Sequence, residues 1–135
     1  MVKQYGVLYQ DTRRALLQTE NVQDAGVLAR MLVCQASGKS QAEFLADRDL
    51  YASEKIVEEV EANLQRLLNQ EPIAYILGQW EFYGLPLDVS EAVLIPRVDT
   101  EVLVEQALGH VKGLEKCRVL DLCAGSGCVG LAIAA

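Results

Sequence analysis

No stretch of this chain approaches the roughly 20 consecutive apolar residues that a bilayer-spanning helix needs. The N-terminus, MVKQYGVLYQDTRR, turns charged too soon for a secretory signal. These absences predict a cytosolic protein. A basic excess is missing as well: twelve Lys and Arg stand against nineteen Asp and Glu, a formal charge of −7. The imbalance holds up to Glu71 (8 against 11) and beyond it (4 against 8), so neither half offers the basic face by which proteins hold polyanions. Paired CxxC spacing is absent. Cys34, Cys117, Cys123 and Cys128, with the single histidine His110, make no metal-ligand pattern, and reduced thiols acting as small core residues are expected instead. Internal repeats and low-complexity tracts are lacking too.

What is present is a set of amphipathic segments. Tyr5, Leu8, Thr12, Ala15, Leu16 and Thr19 recur at helical spacing, and so do Val22, Ala25, Leu28, Ala29, Leu32, Val33 and Ala36, stopped by Ser37-Gly38. Ser40-Gln-Ala-Glu43 fits a capping box opening a short helix. Ser53 caps a longer one whose Ile56, Val57, Val60, Leu64, Leu67 and Leu68 face inward, closed by Pro72. These pieces predict a small helical domain, its stripes buried against one another.

The texture changes near Gln70–Pro72. PIAYILG reads either as a short turn of helix or as an extended piece. In QWEFYGLPLDV, Trp80 and Phe82, then Leu85, Leu87 and Val89, alternate like strands, with Gly84 and Pro86 suggesting a turn between them. DTEVLVEQALGHVKG predicts a helix capped by Asp99 or Thr100 and ending near Gly113. Arg118–Leu122 reads as a strand apolar on both faces apart from Asp121, as in a sheet covered on both sides.

That strand leads into VLDLCAGSGCVG. Glycine admits positive φ and close backbone approach to a ligand, and the helix opening near Cys128 would aim its N-terminal amides at whatever sits there. Gly125-x-Gly127-x-x-Gly130 matches the dinucleotide fingerprint literally, but an acid and two small residues intervene between strand and glycine, unlike that fingerprint. A P-loop is excluded, because no Lys-Ser/Thr pair follows the glycines. An S-adenosylmethionine loop is the third reading: a strand-end carboxylate attracts a cationic sulfonium ligand and repels a pyrophosphate. A plain tight turn after a buried strand stays open beside it.

A second stretch extends the pattern. Glu71-Pro72-Ile73-Ala74-Tyr75-Ile76-Leu77-Gly78, Phe82 and Gly84, Leu94-Ile95-Pro96-Arg97, Asp99-Thr100-Glu101, Val119-Leu120-Asp121-Leu122 and Gly125-Ser126-Gly127 together resemble the protein-(glutamine-N(5)) methyltransferases of the HemK type, which modify peptide-chain release factors. The resemblance implies an α-helical N-terminal domain, a β-hairpin linker, and the start of an α/β Rossmann-like S-adenosylmethionine-dependent methyltransferase domain. The expected bounds are 1–71 for a helical substrate-recognition domain, 72–98 for the linker with its hairpin, and 99–135 for an incomplete methyltransferase domain.

The same resemblance places Asp121, Leu122, Cys123, Ala124 and Gly125 along the S-adenosyl-L-methionine, with Gly127 shaping the turn. Pro96, Arg97, Thr100 and Glu101 would border the reaction pocket. It implies the glutamine of a Gly-Gly-Gln loop in a class-one release factor as substrate, no membrane partner, and nucleic acid only through the translation machinery. Val98 stands where such proteins commonly have proline, and Cys123-Ala124 where a Gly-Thr type pair is usual. The Asn-Pro-Pro-Tyr motif that holds the acceptor amide does not occur in the 135 residues. No catalytic residue and no metal ligand are therefore assigned, and the expectation is an N-terminal portion without activity of its own. Two rival functions are an adenine N6-methyltransferase of nucleic acids, disfavoured by the acidic balance, and a non-catalytic protein-binding helical fragment.

Overall fold

Tyr5, Leu8, Thr12 and Leu16 are the buried side of helix α1 (Tyr5–Leu17) in a computed structural model that describes residues 1–20 and 22–135. Thr12 is a polar member of that stripe, and its hydroxyl donates to the Leu8 carbonyl at 2.8 Å, so its burial costs no unpaired group. Helix α2 (Ala25–Ser37) buries Ala25, Ala29, Leu32 and Val33 and ends on Gly38 at φ 69°, the left-handed stop that glycine takes without a Cβ clash. Helix α4 (Glu54–Leu68) buries Val57, Val60, Asn63 and Leu64, and the Ser53 hydroxyl accepts from the Ile56 amide at 3.4 Å.

Helix α3 (Gln41–Ala46) has only six residues, too few to persist alone. It is held at its start by the capping box expected from the sequence. Ser40 Oγ accepts from Glu43 N at 3.2 Å, and Ser40 N donates to Glu43 Oε2 at 2.7 Å. We expect Ser40→Ala to destabilise this unit by about 1 kcal/mol, read as a lower urea midpoint at unchanged slope. An unchanged midpoint would mean that Phe44 alone places the helix.

The core of Met1–Leu77, the first of two compact units, has two parts. Tyr5, Leu8, Val33, Phe44, Ala52, Val57 and Val60 make one, and Leu16, Ala25, Ala29, Leu32, Leu64 and Ile76 the other. A feature with no sequence signal ties the chain start to this core. Lys3–Gln4 (β1) pairs antiparallel with Tyr51–Ala52 (β2), Lys3 opposite Ala52; two residues are too few for alternation to show. Of the two readings of PIAYILG, the helical one is found, as α5 (Ile73–Leu77), with Tyr75 N and Ile76 N donating to the Pro72 carbonyl.

An ion pair closes the end of α4. Arg66 forks onto both oxygens of Glu71, Nε to Oε2 at 2.8 Å, and this hydrogen-bonded guanidinium holds the Glu71 carboxyl below its ordinary value of 4.5. A carboxylate with a depressed folded pKa adds stability above its unfolded pKa and loses it as pH falls through the folded one. Glu71→Gln should therefore flatten the acid limb of the stability profile below about pH 4.5 and leave its shape near neutrality alone. Denaturation midpoints taken across that range check it; parallel acid limbs for the two proteins would contradict the pairing.

The second unit, Gly78–Ala135, starts with a hairpin. Gln79–Phe82 (β3) and Leu85–Asp88 (β4) pair antiparallel, with Phe82 opposite Leu85. Tyr83 (φ 51°) and Gly84 (φ 75°) form the two-residue link, the left-handed pair that matches strand twist. Pro86 lies within β4 opposite Glu81, not in the turn as the sequence suggested. A two-stranded ribbon tolerates it, because its outer edges need no ladder bond. After a 3-10 turn at Val98–Thr100 comes α6 (Glu101–Val111), and after the glycine-rich loop α7 (Cys128–Ala134). Phe82, Val104, Cys128 and Ala132 form the core that joins hairpin and helices.

Two expectations are corrected here. Arg118–Leu122 is not a strand: it runs without ladder partners among the described residues, and Leu120 and Leu122 are 80% and 76% exposed. Apolar, β-prone composition favours a strand only where a neighbour accepts its backbone bonds. Thr100 does precede α6, but its own backbone is helical (φ −72°, ψ −19°) and its side chain makes no cap bond. The preceding 3-10 turn already starts the coil at Val98, after the extended Arg97. No described helix is long and apolar enough to cross a membrane.

Candidate functional site

The glycine-rich loop is built from two tight reversals. Gly127 N donates to the Ala124 carbonyl at 2.8 Å, and Gly125 and Gly127 stand at φ 58° and 77°. Ser126 Oγ accepts from Cys128 N, the first amide of α7, at 3.3 Å. Cys123 takes φ 56°, a left-handed position that costs an L-residue about 1–2 kcal/mol. A glycine would fit this position without that strain, which gives the departure at Cys123 a physical meaning.

Asp121 folds back across the loop. Its Oδ2 accepts from Gly130 N at 3.1 Å, satisfying an amide in the first turn of α7 that has no intrahelical partner. Gly130 permits this approach: a Cβ there would lie 3.1 Å from Asp121 Oδ2. The carboxylate is half-buried, and its other oxygen makes no hydrogen bond among the described residues.

This loop opens on a concavity of about 280 Å³. Asp121, Leu122, Cys123, Ala124 and Gly125 line one wall, and Pro96, Arg97 and Thr100 line another. Pro96 is buried, while the Arg97 side chain reaches solvent. Eight of the ten residues singled out in the sequence thus share one depression, although 20 residues separate the two groups along the chain. Gly127 does not line it; it is the left-handed residue immediately before α7. Glu101 is placed elsewhere: its Oε1 accepts from Tyr83 N at 2.8 Å, pinning the hairpin turn to α6. Leu103, Cys128 and Val129 line the depression without having been expected there. Leu103 was findable, being one helical turn beyond Thr100; Cys128 and Val129 depend on how the loop folds.

In this arrangement a carboxylate oxygen, backbone in left-handed conformations and apolar side chains converge on one hollow. That set suits a ligand with a cationic group and an apolar body. The volume falls just below the ~300–1,000 Å³ usual for small-molecule sites, room for part of such a ligand.

Comparison with known proteins bears on both units. The sequence model of the PrmC N-terminal domain matches residues 9–78. The chain is 44% identical over 126 residues to a release factor glutamine methyltransferase of Haemophilus influenzae, an alignment covering 88% of this chain and 42% of that protein. It is 38% identical over 122 residues to the protein of the same name in Escherichia coli, covering 90% and 44%. For the one in Coxiella burnetii the figures are 47% over 96 residues, 71% and 35%. The chain spans less than half the length of these curated relatives. The domain match takes in more than half of the chain, from α1 through α5, and by it the chain belongs to the PrmC N-terminal domain family, whose named relatives are release factor glutamine methyltransferases.

Proposed function

We propose that these residues are the docking and cofactor-binding portion of an S-adenosylmethionine-dependent methyltransferase that modifies the side-chain amide of a release-factor glutamine. The observation that carries this reading is the gathering of Asp121–Gly125 with Pro96, Arg97 and Thr100 on one hollow, in a chain whose relatives bear that activity in their names. In it, 1–71 is the substrate-recognition domain, 72–98 the linker with its hairpin, and 99–135 opens the Rossmann-like catalytic domain in the cytoplasm. The protein substrate is the Gly-Gly-Gln loop of a class-one release factor.

The hollow fits the methionine side of the cofactor. Asp121 holds one oxygen on Gly130 N and turns the other toward a positively charged group, and the loop backbone from Cys123 to Gly125 supplies close approach. Bound S-adenosylmethionine supplies the electrophilic methyl group. The protein's part is to bind, orient and exclude water, because an amide nitrogen whose lone pair is delocalised into its carbonyl is a poor nucleophile and gains most from being held in line. Pro96 and Arg97 border the hollow where the acceptor would arrive.

The test of the cofactor half is a hybrid in which this chain replaces the matching stretch of the Haemophilus influenzae relative. Calorimetry should show saturable S-adenosylmethionine binding with the unsubstituted relative's stoichiometry. A folded hybrid that takes up no cofactor while the relative does would overturn the assignment of the loop.

A further inference from the structure

The first turn of α6 faces two ways. Thr100, just before it, and Leu103, three residues on, share one side and line the hollow. Glu101 and Val104 share the next side and meet the hairpin instead. Val104 is buried in one cluster with Phe82, and Glu101 reaches the turn beside it.

That turn leaves an amide for Glu101 to satisfy. Tyr83 and Gly84 are both left-handed and lie outside the β3–β4 ladder, whose last pair is Phe82 with Leu85. The Tyr83 amide therefore has no ladder acceptor, in a residue that is half-buried. Glu101 Oε1 accepts from it at 2.8 Å.

What this bond fixes is the neighbour of Tyr83. Phe82 is 1% exposed and shares its cluster with Val104 of α6 and with Cys128 and Ala132 of α7. Cys128 also lines the hollow, and the glycine-rich loop leads into it. One wall of the hollow is carried by the chain entering α6, the other by the loop entering α7. Phe82 thus sits where the two helices meet. Interiors pack too closely for its ring to move without its neighbours, so a loose turn would shift one wall against the other.

We propose that Glu101 is a positioning residue: through Tyr83 N it seats Phe82 between α6 and α7, and so holds the two walls of the hollow at their binding separation. That the hollow takes S-adenosylmethionine rests on the functional reading above; the effect of Glu101 on the walls does not. The role calls for an oxygen acceptor aimed at Tyr83 and not for a charge acting on the ligand.

Glu101→Ala and Glu101→Gln separate the two, because glutamine keeps the oxygen. Cofactor binding to the hybrid enzyme is measured by calorimetry, well below the melting temperature of every variant. Glu101→Ala should weaken S-adenosylmethionine by on the order of tenfold, and Glu101→Gln should restore most of that affinity. A second readout needs no cofactor. Cys128 is 8% exposed, so its labelling by a thiol reagent in the 135-residue chain, located by mass spectrometry, reports how closely Phe82 and the walls cover it. Labelling should be several-fold faster in Glu101→Ala and return to the parent rate in Glu101→Gln, with the exposed Cys117 unchanged in both. Lower melting of Glu101→Ala with parent affinity and parent labelling would overturn the proposal and leave a bond that only stabilises. Equal loss of affinity in both variants would overturn it too, by making charge the cause. If the unsubstituted hybrid binds no cofactor, the functional reading fails, and Cys128 labelling alone decides the positioning role.

Discussion

Phe44→Ala is expected to cost the helical unit about 3–5 kcal/mol. Phe44 is 2% exposed, stacks obliquely on Tyr9 with ring centroids 5.7 Å apart, and touches the cluster that joins α1, α2 and α4. It is the only buried residue of the six-residue α3. Truncating it leaves a void and also detaches the helix that the Ser40 box starts. A 77-residue unit has on the order of 4–12 kcal/mol to lose, so the change removes much of its stability. The melting temperature should fall by roughly 15–30 °C. Leu45→Ala is the matched control, because its neighbouring side chain is 51% exposed and its loss should stay within about 0.5 kcal/mol. Similar melting shifts in the two variants would show that α3 is not anchored through Phe44.

Asp121→Asn carries the second large effect, on ligand affinity. Its carboxylate does two jobs in this account: it holds the Gly130 amide and faces the cationic end of S-adenosylmethionine. Asparagine keeps an oxygen for the amide and loses the charge. Cofactor affinity of the hybrid enzyme should drop about tenfold or more, the equivalent of about 1.5–3 kcal/mol for a charged hydrogen bond, with little change in melting. Asp121→Ala should lose both functions and lower the melting temperature as well. If Asn binds cofactor as tightly as Asp, the residue is a helix cap and nothing more.

The helices that build the first unit were legible because their information is local. Apolar spacing at three and four residues marked α1, α2 and α4, Ser40 and Glu43 announced α3, and Gly38 ended α2 where its left-handed backbone requires. Features that depend on a partner were not legible. The β1–β2 pairing joins residues almost 50 apart through two-residue strands, which leave no periodic trace. Arg118–Leu122 reads as a buried strand because composition alone cannot say whether a neighbour exists.

The site divides the same way. Motif residues announced their chemistry, and the fold brings Pro96 and Arg97 to the wall facing Asp121–Gly125. Glu101 carries the same motif signal yet serves the hairpin, because the left-handed turn at Tyr83 exposes an amide that a carboxylate in the first turn of α6 can reach. Cys128 and Val129 enter the wall only through the two reversals of the loop.

The central claim is that this chain supplies the front of a glutamine methyltransferase. Its most direct test is mass spectrometry of a release factor after incubation with the hybrid enzyme and methyl-labelled S-adenosylmethionine. One methyl group on the amide of the Gly-Gly-Gln glutamine, absent with the 135-residue chain alone and strongly reduced with Asp121→Asn, is the predicted result. A folded, cofactor-binding hybrid that leaves that glutamine unmodified, or places the methyl group on another residue, would contradict the account.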